Sequence, residues 1–470
     1  MSISKSILFN TDSYKISMHC QYPPGTTGVF SYIESRGGEY DRTVFFGLQA
    51  FIKEYLTKPI TQEEINLADE ILTAHGEPFN RAGWQHILDQ HGGYLPVVIR
   101  AVPEGTVVPT KNVLATIENT DPEVPWLTTW LETALLRAIW YPTTVSTRSW
   151  HIRQLILKYL EETGDPAGID FKLHDFSARG DSSLETAGLC GAAHLVNFMG
   201  TDTISGVMYA REYYGAGVAG FSIPASEHSI STSYGRNEKQ YVLNMIAQFA
   251  KPGSIFAMVA DTYNVFEFAK MLGDDKDIKD KIEAHAKTGG IVVIRPDSGD
   301  PLAVNLQLIE ILGEKFGYTV NAKGFKVLNS VRIIQGDGVN DLSISVILDG
   351  LKSLGWSADN IAFGMGGALG QILNRDTLKF AQKASSVCIE GVWHDIAKDP
   401  ITDSGKRSKR GRVMLYKADG QFVSGVENIV PTAWTDKSSK WEYALETVFQ
   451  NGKLVKEYSF EEVRNNAKHN

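Results

Sequence analysis

The feature that most constrains the fold is a repeated unit in the middle of the chain. From residue 171 onwards, a short apolar run is followed by a polar or Gly-rich stretch and then by a segment with helical spacing. Such a unit is typical of a β-strand that leads through a loop into an α-helix, and consecutive units of this kind build a parallel sheet. Seven polar stretches mark the loops: HDFSARGDSS, GTDTISG, PASEHS, ADTYN, RPDSGDP, QGDGVND and FGMGGALG.

The loops help to distinguish two parallel architectures. An open doubly wound sheet binds its ligand at the loops around one switch point, whereas a barrel carries its chemistry on the loops that follow many strands. Nearly every loop here contains ionisable residues or glycines. We therefore predict an α/β protein in which residues 151–399 form an irregular (β/α) barrel, with the functional side chains at the carboxyl ends of the strands.

The rest of the chain is expected to form a second, mixed α/β domain. Residues 1–150 combine strand-like segments with long helical patterns in residues 124–142 and 147–162. Residues 400–470 return to strand patterns, and we expect their β-hairpins to join the N-terminal third. The hairpin turns are predicted at Asp419 with Gly420 and at Asn451 with Gly452.

The charge balance limits the possible partners. The chain carries 46 Lys and Arg against 55 Asp and Glu, a formal net charge of −9, so a broad basic surface for nucleic acid is not expected. No stretch approaches the roughly 18 consecutive apolar residues of a membrane span, and the N-terminus lacks the apolar core of a signal peptide. We expect a cytoplasmic protein that binds neither nucleic acid nor membrane.

One basic segment departs from this balance. Residues 406–412, with the sequence KRSKRGR, concentrate Lys and Arg in an otherwise acidic chain. A charge run of this kind is usually a solvated loop. It would also suit a site for a small, highly charged anion such as a diphosphate or triphosphate. The residues alone leave both interpretations open.

The stretch RPDSGDP places opposite charges, Arg295 and Asp297, at the end of one strand. Such a pair suits a ligand of mixed character, because Arg binds oxyanions while Asp binds hydroxyl groups or a metal ion. A sugar phosphate has both. In FGMGGALG, Gly366 and Gly367 lie where a strand turns into a helix. Their backbone N–H groups could approach a phosphate, although a Gly-rich loop is more often simply a tight turn.

Other residues at the strand ends also have two interpretations. Asp261, Asp297 and Asp337 could bind ribose hydroxyls or a hydrated Mg²⁺ ion, or could cap the N-termini of the following helices. His228, which follows Glu227, could be a structural histidine or a base or nucleophile.

The loop HDFSARG adds an aromatic residue and a cation. Phe176 would by default belong to the core, but it could also stack on a planar ring near Arg179. Together, the residues at the strand ends indicate an enzyme that acts on a phosphorylated sugar, without fixing the reaction.

A set of motifs spread over nearly the whole chain resembles the type II phosphoribosyltransferase family and, within it, the nicotinamide phosphoribosyltransferases. The resemblance implies transfer of the phosphoribosyl group from phosphoribosyl pyrophosphate to nicotinamide, giving nicotinamide mononucleotide and pyrophosphate for NAD salvage. It also implies a homodimer in which each active site is a barrel mouth completed by the partner. The motifs are TDSYK, QYPPGT, HDFSARGDSSLETAG, AHLVNFMGTDT, PASEHS, IRPDSGDPL, IQGDGV, IAFGMGGALGQ, KDPITDSGKRSKRGR and VFQNGKLVKEYSFEEVRNNA.

The resemblance implies a role for each candidate residue. The nicotinamide ring would lie between Phe176 of one chain and Tyr14 of the other, with Asp202 accepting from the carboxamide N–H and Arg295 near the carboxamide oxygen. Asp297 and Asp337 would address the ribose and Mg²⁺, with Asp261 nearby. The 5′-phosphate would be bound by Arg179, Gly366, Gly367 and the partner's Arg375. The pyrophosphate would be bound by Arg36 and Lys383 from the partner, together with Lys398 and Lys406.

By the same resemblance, ATP would phosphorylate His228, and Glu227 would orient its ring. ATP hydrolysis would thereby be coupled to tighter use of the substrates.

Two other functions compete with this interpretation. A nicotinate phosphoribosyltransferase would bind a carboxylate where the amide binds, and Asp202 at that place would repel it. A non-catalytic protein that binds mononucleotides would have no use for a histidine that can be phosphorylated, such as His228. We therefore expect the amide-specific enzyme.

Overall fold

The computed structural model describes residues 5–402, 407–429 and 441–468. These residues form two compact units. The first unit comprises the described residues of Met1–Thr147, Ala210–Gly217 and Leu373–Asn470, and the barrel unit comprises Arg148–Tyr209 and Val218–Ile372.

Three segments differ from the expected domains. Residues 148–150 were expected in the mixed domain but belong to the barrel unit, whereas residues 210–217 and 373–399 were expected in the barrel domain but belong to the first unit. For residues 373–399 the reason is strand pairing: Phe380–Ile389 pairs antiparallel with Thr26–Ser35, near the N-terminus. The apolar pattern of this strand does not reveal which sheet it joins, because only its long-range partner decides that.

The barrel unit is built around a parallel sheet of short strands. Within the described residues, the six strands form five parallel pairs: first with second, third with fourth, fourth with fifth, fifth with sixth, and sixth with first, so that the second and third strands are the two edges of the sheet. We call them the first to sixth barrel strands. In chain order they are Leu173–Asp175, Gly200–Thr201, Ile255–Val259, Ile291–Arg295, Val331–Gln335 and Ile361–Met365.

Residues 221–225 close this sheet into a barrel, and we call them the bridging segment. Phe221 forms a parallel bridge with the second barrel strand, and Ala225 forms one with the third. Backbone hydrogen bonds support both contacts: the N–H of Thr201 donates to the carbonyl of Phe221 over 3.0 Å, and the N–H of Ala257 donates to the carbonyl of Pro224 over 2.9 Å. The predicted irregular barrel is thus confirmed. The bridging segment takes the place of a strand but is too irregular to be assigned as one.

All seven predicted loops lie at the carboxyl end of a barrel strand or of the bridging segment. The helices that follow are amphipathic and cover the outside of the sheet. They are Leu184–Leu195, Ile204–Tyr214, His228–Ser233, Glu238–Phe249, Val265–Asp274, Lys276–Lys287, Pro301–Phe316, Asp341–Ser353 and the single turn Gly367–Gly370. A small hairpin, Tyr318–Val320 with Lys326–Leu328, precedes the fifth barrel strand.

The interior of the barrel is apolar but not filled. Ala257, Val293 and Ile334 form a buried cluster against which Phe176 and Ile223 pack. A cavity of about 550 Å³ remains, and its lining includes residues from both ends of the strands. The barrel therefore has room for a ligand in its interior.

The first unit contains an antiparallel sheet. In order across the sheet, its strands among the described residues are Val392–Asp395, Phe380–Ile389, Thr26–Ser35, Val113–Asn119, Val97–Ala101, Glu446–Gln450 and Lys453–Leu454. The last two form the predicted hairpin at Asn451 and Gly452, and this hairpin joins the N-terminal third as expected. Both turn residues have positive φ, as a tight hairpin turn requires.

Smaller elements complete the first unit. The second predicted hairpin, Val413–Ala418 with Gln421–Val426, is present and extends to Glu442–Tyr443, and Arg42–Val44 pairs with Val107–Pro109. The helices are Leu48–Phe51, which continues as a π-helical turn Ile52–Leu56, Gln62–Ala74, Arg81–His91, Leu127–Trp130 and Phe460–Lys468.

The two long helical patterns merge into one helix, Glu132–Thr163, that contains Pro142. A proline usually ends or kinks a helix, because its ring displaces a backbone hydrogen bond. Gly47 provides space beside the ring: a Cβ atom there would lie 2.3 Å from Cγ of Pro142. Among the described residues, no helix is both long and apolar enough to cross a membrane.

Candidate active site

The acidic residues at three strand ends are not helix caps. In each case the side chain that caps the following helix belongs to the residue three positions later. Asp261, Asp297 and Asp337 are therefore left free for other contacts, while the caps are Asn264, Asp300 and Asn340. This removes the structural alternative that the sequence left open for these three acids.

Two adjoining cavities lie in the barrel unit, and Phe176, Asp202 and Arg295 line both. The cavity inside the barrel is mainly apolar. The other, of about 470 Å³, is polar, and we call it the polar cavity. Its further lining residues are Ala178, Arg179, Gly180, Thr203, Asp297, Gly336, Asp337, Gly366 and Gly367. A flat apolar group at the junction would have its polar substituents within reach of Asp202 and Arg295.

The ring of Phe176 is held at this junction by glycines on neighbouring strands. A Cβ atom added to Gly364, in the sixth barrel strand, would lie 2.0 Å from Cε2 of Phe176, and one on Gly336 would lie 3.5 Å from the same atom. The backbone N–H of Phe176 donates to the carbonyl of Met365 over 2.9 Å. The ring therefore rests against bare backbone, with its other face open to the cavities.

Asp202 is positioned by the adjacent loop. Its backbone N–H donates to the carbonyl of Asp175 over 2.9 Å, and its Oδ1 accepts from the Ser222 hydroxyl over 2.5 Å. Asp175 is fully buried at the end of the first barrel strand, where its Oδ1 accepts from the Ser177 N–H over 2.7 Å. Burial raises the pKa of Asp175. The sequence analysis missed this positioning residue, although an acid directly before Phe176 at a strand end was a usable signal.

Arg295 has donors available for a ligand. Its Nη2 lies 3.8 Å from Oδ2 of Asp297, too far for a hydrogen bond. Its Nε is buried and finds no acceptor within the described residues. A buried N–H without a partner is costly, so a ligand oxygen that accepts from it would be favoured.

Arg179, Gly366 and Gly367 all line the polar cavity. A Cβ atom on Gly180 would lie 3.6 Å from Cα of Gly367, so the loops after the first and sixth barrel strands are in close proximity. A Cβ on Gly367 itself would meet only open space. The helix that starts there is a single turn, so the groups that could bind an anion here are the loop backbone and the guanidinium rather than a helix dipole.

His228 contacts an acid that differs from the expected one. Its Nε2 lies 2.8 Å from Oδ1 of Asp261, and its Nδ1 lies 3.8 Å from Oδ2 of Asp297. Glu227 was expected to orient the ring, but its carboxylate instead accepts from the Ser229 hydroxyl. His228 starts a helix for which Glu227 is the N-cap residue, and the two side chains point to different partners. The orienting acid comes from the next strand end, which sequence adjacency could not show.

The other predicted ligands lie in the first unit. They are Tyr14, Arg36, Arg375, Lys383 and Lys398. Tyr14 is 61% exposed, so its ring is available for a contact. Burial lowers the pKa of Lys383, and the positive charges of Arg36, Lys15 and Arg375 lower it further, against the opposing effect of Glu132. These cations are therefore neighbours. Lys406 lies outside the described residues.

Two family models match the chain. The model of the nicotinate phosphoribosyltransferase (NAPRTase) family covers residues 171–453, more than half of the sequence. The model of the N-terminal domain of nicotinamide phosphoribosyltransferase covers residues 6–99. The chain belongs to the NAPRTase family.

Relatives within the family are similar over the full length. A nicotinamide phosphoribosyltransferase of Xanthomonas campestris pv. campestris is 52% identical over 467 residues, which cover 98% of each chain. One of Acinetobacter baylyi is 32% identical and covers 99% of this chain and 97% of its own. The family assignment therefore applies to both units.

Solved structures share the fold. The nicotinate-nucleotide pyrophosphorylase of Pyrococcus furiosus has a TM-score of 0.64 at 17% identity, over 100% of this chain and 96% of its own. Human nicotinic acid phosphoribosyltransferase has a TM-score of 0.59 at 16% identity, over 97% and 92%. At these identities the likeness concerns the fold alone.

The packing of Phe176 on bare backbone can be tested with a double-mutant cycle. We expect Gly364→Ala to destabilise the protein by about 1–3 kcal/mol, because the new methyl group overlaps the ring. In a Phe176→Ala background the same change should cost much less. Melting temperatures of the two single variants and the double variant provide the measurement. Gly217→Ala is the matched control, since a Cβ atom there meets nothing within 4 Å. Equal losses in both backgrounds would contradict the contact.

Proposed function

We propose that this chain transfers the phosphoribosyl group of phosphoribosyl pyrophosphate to nicotinamide, giving nicotinamide mononucleotide and pyrophosphate in NAD biosynthesis. The printed names of the full-length relatives support this activity. The observation that carries it is the convergence of Phe176, Asp202 and Arg295 on the junction of the two cavities. An aromatic face, an acceptor and a donor are the three contacts that a pyridine carboxamide needs.

The site favours an amide over an acid because of Asp202. A carboxylate oxygen accepts a hydrogen bond from the amide NH₂ group of nicotinamide. Nicotinate offers no N–H at that place, and its negative charge would lie beside another carboxylate. Arg295 would donate to the remaining carbonyl oxygen, which explains how its buried Nε finds a partner.

The reaction breaks the bond from C1 of the ribose to pyrophosphate and forms a bond from C1 to the pyridine nitrogen. The ring nitrogen has a free lone pair, so no side chain has to remove a proton. The transition state resembles an oxocarbenium ion, and the protein contributes by positioning the ring and stabilising charge. Phe176 would present the nucleophile, Asp297 and Asp337 would bind the ribose, and Arg179 with Gly366 and Gly367 would hold the 5′-phosphate.

The polar cavity suits Mg²⁺. This ion takes one or two carboxylates and keeps several waters and substrate oxygens, and Asp297 and Asp337 both line the cavity. A bound Mg²⁺ ion would neutralise the developing charge of the pyrophosphate leaving group. Four basic residues would add positive charge around the pyrophosphate: Arg36, Lys383, Lys398 and Lys406.

We further propose a cytoplasmic homodimer in which Tyr14, Arg36, Arg375 and Lys383 of the partner subunit complete each site. Exposed apolar side chains on two barrel-unit helices are consistent with such an interface, because large apolar groups on a surface often mark a contact region. They are Leu184, Ile204 and Met208.

His228 would couple ATP hydrolysis to the transfer. If Nε2 donates its proton to Asp261, the lone pair of Nδ1 is free to attack the γ-phosphorus of ATP. A bond from Nδ1 to phosphorus forms, the bond to ADP breaks, and water later hydrolyses the phosphohistidine. The neighbouring Asp297 would bring this step close to the ribose site.

The direct test of the proposed function is a product assay. Purified protein is incubated with phosphoribosyl pyrophosphate, Mg²⁺ and either nicotinamide or nicotinate, with and without ATP. We expect nicotinamide mononucleotide from the amide, formed faster in the presence of ATP. Efficient conversion of nicotinate alone would identify a nicotinate phosphoribosyltransferase, and binding of mononucleotide without turnover would identify a non-catalytic protein.

Replacement of Asp202 should alter base selection. We expect Asp202→Ser to lower the ratio of kcat/KM for nicotinamide over nicotinate by at least about tenfold, because the like-charge repulsion of nicotinate is removed. Initial rates with both bases give the ratio. Asp181→Ser is a suitable control, since its carboxylate is bound by Gln371 and Ser177 and it does not line the polar cavity. An unchanged ratio in Asp202→Ser would refute the assignment.

Loss of His228 should separate the two reactions. We expect His228→Ala to abolish ATP hydrolysis while leaving slow transfer that no longer responds to ATP. Asp261→Asn should weaken the coupling, because the ring loses its charged partner. Phosphate release and nucleotide formation are measured in the same samples. Retained ATP hydrolysis in His228→Ala would exclude this histidine from the role.

A further inference from the structure

A cluster of three potential metal ligands lies in the first unit and includes no residue assigned to the transfer reaction. His86 and His91 belong to helix Arg81–His91, and Asp121 follows strand Val113–Asn119. Nε2 of His86 lies 2.8 Å from Oδ2 of Asp121, and Nε2 of His91 lies 2.6 Å from the same oxygen. Among the described residues, only these three His, Cys or acidic side chains form a trio with all ligand atoms within 4.8 Å of one another.

The two imidazole rings share a single protein partner. In the described part of the chain, Asp121 is the only hydrogen-bond partner of either ring, and the ring centroids of His86 and His91 are 6.0 Å apart. The histidine side chains are 30% and 28% exposed, whereas Asp121 is 13% exposed. The cluster therefore has a fixed inner side and a side open to water.

Asp121 is held in place by the end of its strand. Its Oδ1 accepts from the N–H of Glu123 over 2.9 Å, which leaves Oδ2 to face the histidines. Its carbonyl accepts from the amide of Asn119 over 2.8 Å, and the same amide donates to Thr27. The carboxylate is thus preoriented towards the two imidazoles.

The donor set selects among metal ions. Two imidazole nitrogens and one carboxylate oxygen, with a fourth position open to water, match the coordination that Zn²⁺ adopts with three protein ligands. Imidazole also suits Ni²⁺ and Cu²⁺, whereas Mg²⁺ and Ca²⁺ prefer sites made of oxygen atoms. Each Nε2 would bind the ion through its lone pair, so a neutral ring would carry its proton on Nδ1 and a protonated ring would release its Nε2 proton to water. The three ligand atoms would then surround the ion instead of contacting each other.

We propose that His86, His91 and Asp121 bind a divalent transition-metal ion, with Zn²⁺ as the preferred ion and water as the fourth ligand. The ion would link the end of helix Arg81–His91 to the sheet across sequence separations of 30 and 35 residues. Its role would be to stabilise the first unit, and it is independent of the proposed transfer reaction.

The test uses the full-length protein without an affinity tag, treated with EDTA and then freed of it by dialysis. Titration calorimetry with ZnCl₂ measures stoichiometry and affinity, and the absorption of added Co²⁺ reports tetrahedral coordination. We expect one ion per chain, intense Co²⁺ bands and a melting temperature that rises with Zn²⁺. His91→Gln should bind Zn²⁺ at least about tenfold more weakly and lose the Zn²⁺-dependent rise in melting temperature.

Two further variants make the result decisive. Asp121→Asn keeps the size of the side chain but removes its charge, and should also weaken binding. His75→Gln is the matched control, because His75 is an exposed histidine of the same unit outside the cluster, and it should bind like wild type. Absence of stoichiometric Zn²⁺ binding to the wild type, or equal affinity in wild type and His91→Gln, would overturn the proposal and leave the cluster as a hydrogen-bonded triad.

Discussion

The backbone pairing of the bridging segment, residues 221–225, is the constraint on which the site depends. Six regular strands leave two open sheet edges, and this segment bonds to both of them. A closed ring brings the loops after all the strands to one rim, and it encloses an interior that a ligand can enter. The junction formed by Phe176, Asp202 and Arg295 exists because strands distant in sequence become neighbours in this ring.

Much of this arrangement could be predicted from the sequence, because strands, loops and turns are each indicated by a short stretch of residues. Each polar loop follows its own apolar strand, and the hairpin turns carry residues that accept positive φ. The features that escaped prediction depend on long-range contacts. The strand Phe380–Ile389 joins its sheet by pairing with a strand near the N-terminus, and Pro142 lies inside a helix with its ring packed against Gly47.

In the candidate site, too, local sequence does not reveal the long-range contacts. The resemblance to a known family pointed to residues at the strand ends, several of which line the polar cavity, but adjacency in sequence suggested Glu227 as the partner of His228. The barrel places Asp261 there instead, since the third strand end lies beside the bridging segment. Capping by Asn264 and Asn340 likewise becomes visible only with coordinates. The trio of His86, His91 and Asp121 has no motif spacing and could be found only in the structure.

We propose that the junction binds the pyridine carboxamide while the polar cavity binds the phosphoribosyl group. A crystal structure of the protein with nicotinamide mononucleotide would show both contacts. We expect the pyridine ring against Phe176, the amide nitrogen about 2.7–3.2 Å from a carboxylate oxygen of Asp202, and the phosphate beside Arg179 and Gly367. A nucleotide whose ring lies away from Phe176, or whose phosphate enters the apolar cavity, would contradict it.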